Sequence, residues 1–304
     1  MKETPSQLQI PSYLLNFPFT LSTENPNNIW MQELKAEDLK INKDKAYRQF
    51  MDLYNFIAGS SLAYMLPSQG NYQDQVYVAN LGIYLPHIKD KNVVLLSNFT
   101  SEPRQGEELV GEQFFKMMGY ETHITPHKWE GEADLKYLHG NTYIGGYGIR
   151  SEYETYEWME EKFGMNIVKL EMVEDYLYHL DCSIFPLTKD KTMVCTSLYE
   201  AEELAELEKY TEIIDVNEDD AFGGITNSVR MGNTILTASN ISELSKKSKD
   251  YAFEKNKIHS LEKICAAEGM EPVVFNLSEY MKSGALLSCC VFHLNYVDYN
   301  KTLV

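Results

Sequence analysis

The sequence predicts an α/β fold in which five β-α-β units repeat around a ring, an α/β propeller with pseudo-fivefold symmetry. Three observations carry that expectation. Short apolar strands recur at a regular interval, each leads into an amphipathic helix, and a second strand follows each helix. The leading strands begin at residues 93, 142, 192 and 234, an interval typical of repeat architectures. A unit this small cannot bury both of its faces, so its neighbours must cover them.

The first unit is the least regular, with a helix near Asp44–Ala58 and a strand expected over Gln75–Ile83. The second reads as strand Val93–Ser97, helix Gly106–Met118 and strand Glu121–Thr125, the helix presenting Phe114, Met117 and Met118 at helical spacing. The third reads as Thr142–Gly146, Glu152–Phe163 and Asn166–Met172. The fourth reads as Thr192–Thr196, Tyr199–Tyr210 and Thr211–Val216, and the fifth as Thr234–Ala238, Lys247–Ala267 and Pro272–Asn276. Strand segments are rich in Val, Ile, Thr and Tyr, and helices stop near Gly119, Gly164 and Gly269, where a positive φ ends a helix. An open doubly wound sheet is the alternative. It calls for a GxGxxG loop after its first strand, which the chain lacks. The glycine cluster Gly145-Gly146-Tyr147-Gly148 precedes Arg150 and an acidic helix start, a setting suited to a carboxylate rather than a dinucleotide.

Residues 1–304 are expected to form a single catalytic domain, since 44% hydrophobic content supports a large core. The formal net charge of -18 argues against nucleic acid, whose phosphates demand a basic footprint, and suits a small cationic ligand. No apolar run approaches the roughly 20 residues of a membrane helix, and Met1–Pro11 lacks a signal-peptide core. Cys182, Cys195, Cys265, Cys289 and Cys290 are odd in number and without framework spacing, which points to reduced thiols in a cytoplasmic setting. No CxxC pair is present, so no thiolate metal site is expected. The oligomeric state stays open, a homo-oligomer included.

Polar chemistry concentrates in short segments at strand ends and loops. These are Trp129-Glu130-Gly131-Glu132-Ala133-Asp134, Gly146–Ser151, Tyr178-His179-Leu180-Asp181 and Ser283–Cys290. To them are added Asp74–Gly82, Pro103–Glu108 and Asn28-Ile29-Trp30-Met31. In this order they resemble the guanidino-modifying superfamily of the pentein fold, whose members include arginine deiminase, dimethylargininase, arginine dihydrolase and the amidinotransferases. The resemblance runs from about residue 25 to 292 and agrees with the five units read independently from periodicity.

A guanidinium is planar and charged at any physiological pH, so carboxylates are needed to hold it flat and polarise its carbon. The resemblance implies Glu130 and Asp181 for that task, with Cys289 attacking to give a covalent S-alkylthiouronium. The bound cation can itself lower the thiol pKa. His179 is expected to protonate the departing amine and then deprotonate water, since imidazole titrates close to neutrality. Arg104 and Arg150 are candidates to clamp the substrate α-carboxylate, Arg150 alternatively pairing with Glu152. Asn80 and Asn28 complete the expected substrate contacts, and Asp134 is expected to orient the Glu130 loop or touch substrate. Cys290 reads as a buried structural cysteine. Neither metal nor cofactor is implied.

Three departures stand out. Deiminases and dimethylargininases carry an acid where this chain has Asn80, whereas arginine dihydrolases have an asparagine. Glu132 and Ala133 replace glycines, and Ser288 stands where many relatives have arginine or histidine. The implied activity is therefore hydrolysis of arginine, as a dihydrolase (ornithine, ammonia and CO2) or a deiminase. Dimethylargininase, an amidinotransferase and a non-catalytic binder of cationic amino acids are the alternatives.

Overall fold

The computed structural model describes residues 4–70 and 72–299. Of the segment Leu294–Val304, for which the sequence predicts no element, residues 300–304 lie outside them.

Fifteen strands among the described residues form five three-stranded sheets with one shared plan. β1 (Ser12–Asn16) runs parallel to β2 (Leu62–Leu66), with helix Lys43–Ala58 between them in the chain. β3 (Gly82–Tyr84) is antiparallel to β4 (Val93–Leu96), which crosses over through helix Glu107–Met118 to a parallel β5 (Glu121–Ile124). The same sequence of pairings joins β6 (Leu135–His139), β7 (Thr142–Tyr147) and β8 (Asn166–Glu171) around helix Tyr153–Phe163. It joins β9 (Ile184–Pro186), β10 (Lys191–Val194) and β11 (Glu212–Asp215) around helix Ala201–Leu207. It joins β12 (Val229–Met231), β13 (Thr234–Ala238) and β14 (Glu271–Phe275) around helix Lys249–Ala267. The short β15 (Phe292–His293) returns from the far end of the chain and pairs antiparallel with β1, Tyr13 opposite His293. The first sheet is thus completed by both ends of the sequence.

Burial explains the strand order. β3, β9 and β12 are buried throughout, as is the central strand β4, and such strands need continuous apolar runs such as Val93-Val94-Leu95-Leu96. The parallel partners β5 and β11 are exposed at both ends and form the sheet edges. The apolar residues gather in five clusters.

The four regular units lie where periodicity put them, and Gly119, Gly164 and Gly269 take positive φ at the helix stops. Two expectations are corrected. Gln75–Ile83 is a turn and a 3-10 segment (Val78–Leu81) that reaches strand only at Gly82, because Asn80 and its neighbours bond locally rather than to a ladder. The first unit's strands are instead β1 and β2. In helix Glu107–Met118, Phe114 and Phe115 face the core with Val110, while Met117 sits on the opposite side, 68% exposed. The glycine cluster lies on and just after β7. Gly145 and Gly146 let Tyr156 and Leu180 approach closely, so packing explains these two glycines and an anion site does not.

Candidate active site

The strand that pairs antiparallel with the central strand of each sheet (β3, β6, β9, β12 and β15) is entered through a short irregular segment, and those five segments meet. Asn80 precedes β3, Glu130 and Asp134 precede β6, and His179 and Asp181 precede β9. Asn227 precedes β12, and Cys289 precedes β15. The chain turns through 3-10 geometry at residues 78–81, 131–133, 180–182 and 288–290, so side chains at these turns are aimed by rigid strands.

Glu130 is 1% exposed, and its Oε2 lies 2.8 Å from Nε2 of His179. Its Oε1 accepts the backbone N–H groups of Thr100 and Ser101, both at 3.2 Å, and Arg150 approaches to 3.8 Å. Burial pushes the Glu130 carboxyl upward, but the bond to His179 and the charges of Arg150, His179 and Arg104 prevail and hold it at about 2. Asn80 Nδ2 stands 3.4 Å from the same His179 nitrogen. Gly131 allows this crowding: its φ is +65°, and a Cβ there would lie 2.4 Å from the carbonyl oxygen of Ala79. Asp134 braces the loops from behind, accepting from Ser151 Oγ at 2.6 Å and from the amide of Leu180 at 3.2 Å. Burial raises its pKa to about 6 against the opposing pull of His179.

Cys289 closes the other side. Its side chain lines a polar cleft shared with Asn28, Asp74, Asn80, Arg104, Glu130 and Arg150. It also borders an apolar cavity walled by Trp30, Tyr176, Phe222 and Leu286. Burial, then the nearby Asp181 charge, push the Cys289 thiol up to about 12. Asp181 is fully buried, accepts a hydrogen bond from Ser288 Oγ, and has Lys136 Nζ at 3.8 Å. Its carboxylate is occupied with the residue next to the thiol.

In the wall of the same cleft, Arg104 is gripped by Glu107 at 2.8 Å, donates to Tyr77 O at 3.0 Å and lies over the Phe99 ring. Arg150 donates to Asn27 O at 2.6 Å and lies over the Tyr178 ring, and it turns toward Glu130 rather than Glu152. Asn28 caps helix Ile29–Glu33 through Met31 N and donates to Ser283 O at 2.9 Å, where Gly284 (φ +75°) leaves room for its amide. Its amide is therefore largely committed to holding the cleft together.

No family model matches the chain. Among sequence relatives, the bifunctional arginine dihydrolase/ornithine cyclodeaminase AgrE of Nostoc is 25% identical over 268 residues, covering 86% of this chain and 35% of the relative. The chain thus spans about a third of that protein's length. The N(G),N(G)-dimethylarginine dimethylaminohydrolase of Mycobacterium tuberculosis is 26% identical, covering 93% of this chain and 85% of the relative. In structure, the substrate-bound N-terminal domain of ArgZ, a cyanobacterial arginine dihydrolase, superposes with TM-score 0.80 at 22% identity over 94% of this chain and 98% of that one. This chain has the pentein fold of the guanidino-modifying enzymes.

Three features of this pentein were not legible in its sequence. Asp74 carries a carboxylate, 3% exposed, that lines the cleft. Its Oδ2 accepts from Asn27 at 2.7 Å and from Gln73 at 3.2 Å, while Oδ1 has no hydrogen-bond partner among the described residues. The only signal was its place in the Asp74–Gly82 segment. Asn227, from the one entry segment without a recognised motif, touches Cys289. Glu132 accepts from the backbone N of His293 at 3.0 Å and lies 2.7 Å from its Nδ1. The departure at Glu132 therefore ties the Glu130 loop to β15, and His293 has the partner that sequence spacing did not reveal. No group of His, Cys, Asp and Glu suited to a metal occurs among the described residues, and no helix there is long and apolar enough to cross a membrane.

Proposed function

We propose that this protein hydrolyses the guanidino group of free arginine or a close relative, with Cys289 as nucleophile and the Glu130–His179 pair as its acid–base partner. The observation that carries the reading is one cleft lined by the thiol of Cys289, the amide of Asn80 and a Glu130 carboxylate bonded to His179, together with the charged Asp74, Arg104 and Arg150. The unpaired Oδ1 of Asp74 is a ready acceptor for an α-ammonium, and Arg104 and Arg150 supply positive charge for the α-carboxylate.

In this reading Glu130 and Asn80 receive the N–H groups of the guanidinium and fix its plane. A buried thiol held at about 12 is almost wholly protonated in the empty cleft, so the incoming cation supplies the charge that favours thiolate. The thiol proton leaves to solvent, and sulfur bonds to the central carbon. His179 then protonates a terminal nitrogen, which departs as ammonia and leaves an S-alkylthiouronium. His179 next takes a proton from water as the oxygen adds to that carbon, and the C–S bond breaks to release a ureido product. A second round expels the remaining terminal nitrogen as ammonia, water displaces the sulfur to leave an Nδ-carbamate, and cleavage of its C–N bond gives ornithine and CO2. Asn80, an amide where an acid would add charge, supports this dihydrolase course over the single-step deiminase course. Asp181 serves as the second carboxylate for the guanidinium, and its bond from Ser288 Oγ fixes it beside the nucleophile.

Residues 1–304 serve in this reading as one catalytic domain in a reducing, cytoplasmic compartment, supported by five free cysteines. The experiment is product analysis. L-arginine incubated with the protein is expected to yield two ammonia per ornithine. One ammonia per citrulline would select the deiminase course, and dimethylamine from dimethylated arginine would select a dimethylargininase. No consumption of any guanidine between about pH 6 and 9, with arginine binding retained by Cys289→Ala, would overturn hydrolysis in favour of a binder.

A further inference from the structure

We propose that Asn227 is a positioning residue for the nucleophile, holding the sulfur of Cys289 with an amide N–H that favours its thiolate form. The inference rests on the assignment of Cys289 above and adds a residue that no sequence motif marks.

Four of the five strand-entry segments deliver Asn80, Glu130, His179 and Cys289 to the site. The fifth, leading into β12, delivers Asn227, 2% exposed. Its Nδ2 lies 3.6 Å from Cys289 Sγ, within hydrogen-bond range for sulfur, and its Oδ1 lies 3.9 Å from the same sulfur. The orientation of the amide is decided by its other end: the backbone N–H of Ser288 donates to Oδ1 at 2.9 Å. An N–H donor requires the oxygen there, which leaves the NH2 group as the amide's nearer atom to the sulfur; a thiol S–H has Oδ1 as a weak acceptor, whereas a thiolate can only accept from Nδ2. The segment itself is pinned by a turn from Asn227 N to Gly224 O at 3.2 Å, with Gly224 at φ +80°. One side chain thus fixes both the backbone entering Cys289 and the position of its sulfur.

The chemistry follows from what sulfur accepts. A thiolate takes an N–H hydrogen bond more strongly than a thiol does, because bonds to a charged partner are about twice as strong. Asn227 therefore lowers the cost of ionising a thiol whose surroundings oppose it. The groups facing that thiol are Asp181, Cys182, Cys290 and Tyr178, with Lys136 as the nearby cation and the backbone of Leu286 as a further hydrogen-bond partner. Glu130 and Arg150 line the same cleft.

The test reads the ionisation state directly. Alkylation of Cys289 by iodoacetamide, followed by peptide mass spectrometry from pH 6 to 10, reports thiolate, which displaces iodide. Asn227→Asp keeps an acceptor for Ser288 N–H but replaces the donor with a negative charge. Asn227→Ser offers a smaller O–H donor, and Asn227→Ala removes both. Expected are a rate for Asn227→Ala about tenfold lower at pH 8, a larger loss for Asn227→Asp, and partial recovery in Asn227→Ser. The alkylation profile should move to higher pH in the same order. If Asn227→Ala and Asn227→Asp, folded by circular dichroism, alkylate with the parental profile, the proposal is wrong. If Asn227→Asp does not fold, the contrast of Ala with Ser decides the matter by itself. Because alkylation needs no substrate, a parent that alkylates as described yet consumes no arginine overturns the hydrolase reading and leaves this one standing.

Discussion

Replacing Glu130 with glutamine isolates the charge at the centre of the cleft. The side chain keeps its shape, and its amide oxygen can still accept from Thr100 and Ser101, but it no longer offers His179 and Arg150 an anion. In the folded protein this carboxyl is held at about 2 instead of the ordinary 4.5. At about 1.4 kcal/mol per pH unit, that difference corresponds to about 3 kcal/mol of folding free energy at pH 7. A pKa lower in the folded than in the unfolded state gives stability that is complete above about 4.5 and lost as pH falls toward about 2. Urea unfolding of parent and Glu130→Gln at pH 7, 5.5, 4 and 3 should therefore show the variant about 2–3 kcal/mol less stable at neutrality, with the gap narrowing below about pH 4.5. Charge effects elsewhere cancel in the difference. A gap that stays constant down to pH 3, or a glutamine variant more stable at pH 7, would refute the claim that the carboxylate is stabilised where it sits.

Other substitutions probe the site's supports. Asp134 has the opposite sign: its pKa is raised to about 6, so the parent loses stability as pH climbs from about 4 through 6. Asp134→Asn should thus gain on the parent across that range in paired urea titrations. Gly131→Ala forces a Cβ to 2.4 Å from Ala79 O at positive φ, and thermal unfolding should show a loss of about 2 kcal/mol or more, with activity lost as the Glu130 loop moves. Asp74→Asn removes the acceptor charge proposed for the α-ammonium. Steady-state kinetics with L-arginine should show KM up about tenfold or more and kcat changed far less, and an equal fall in both kcat and kcat/KM would place Asp74 elsewhere in the reaction.

Periodicity exposed four of the five units because each crossover helix is amphipathic and each central strand is a local apolar run. That signal is local. The first unit defied it because its sheet is assembled from residues 12–16, 62–66 and 292–293, the last of which come from the far end of the chain. The inner strands were missed for a related reason: three buried residues such as Gly82-Ile83-Tyr84 have too little length to show alternation.

By itself, then, the sequence determined the repeating α/β architecture and, through motif resemblance, which thiol, imidazole and glutamate to watch. Tertiary structure alone decided what surrounds them. It joined Asp181 to Ser288, paired Glu132 with His293 across 161 positions of chain, and brought Asn227 to the sulfur of Cys289. Such contacts depend on where rigid strands aim the turns between them, and a hydrogen bond between residues so far apart in the chain leaves no spacing for a single sequence to display.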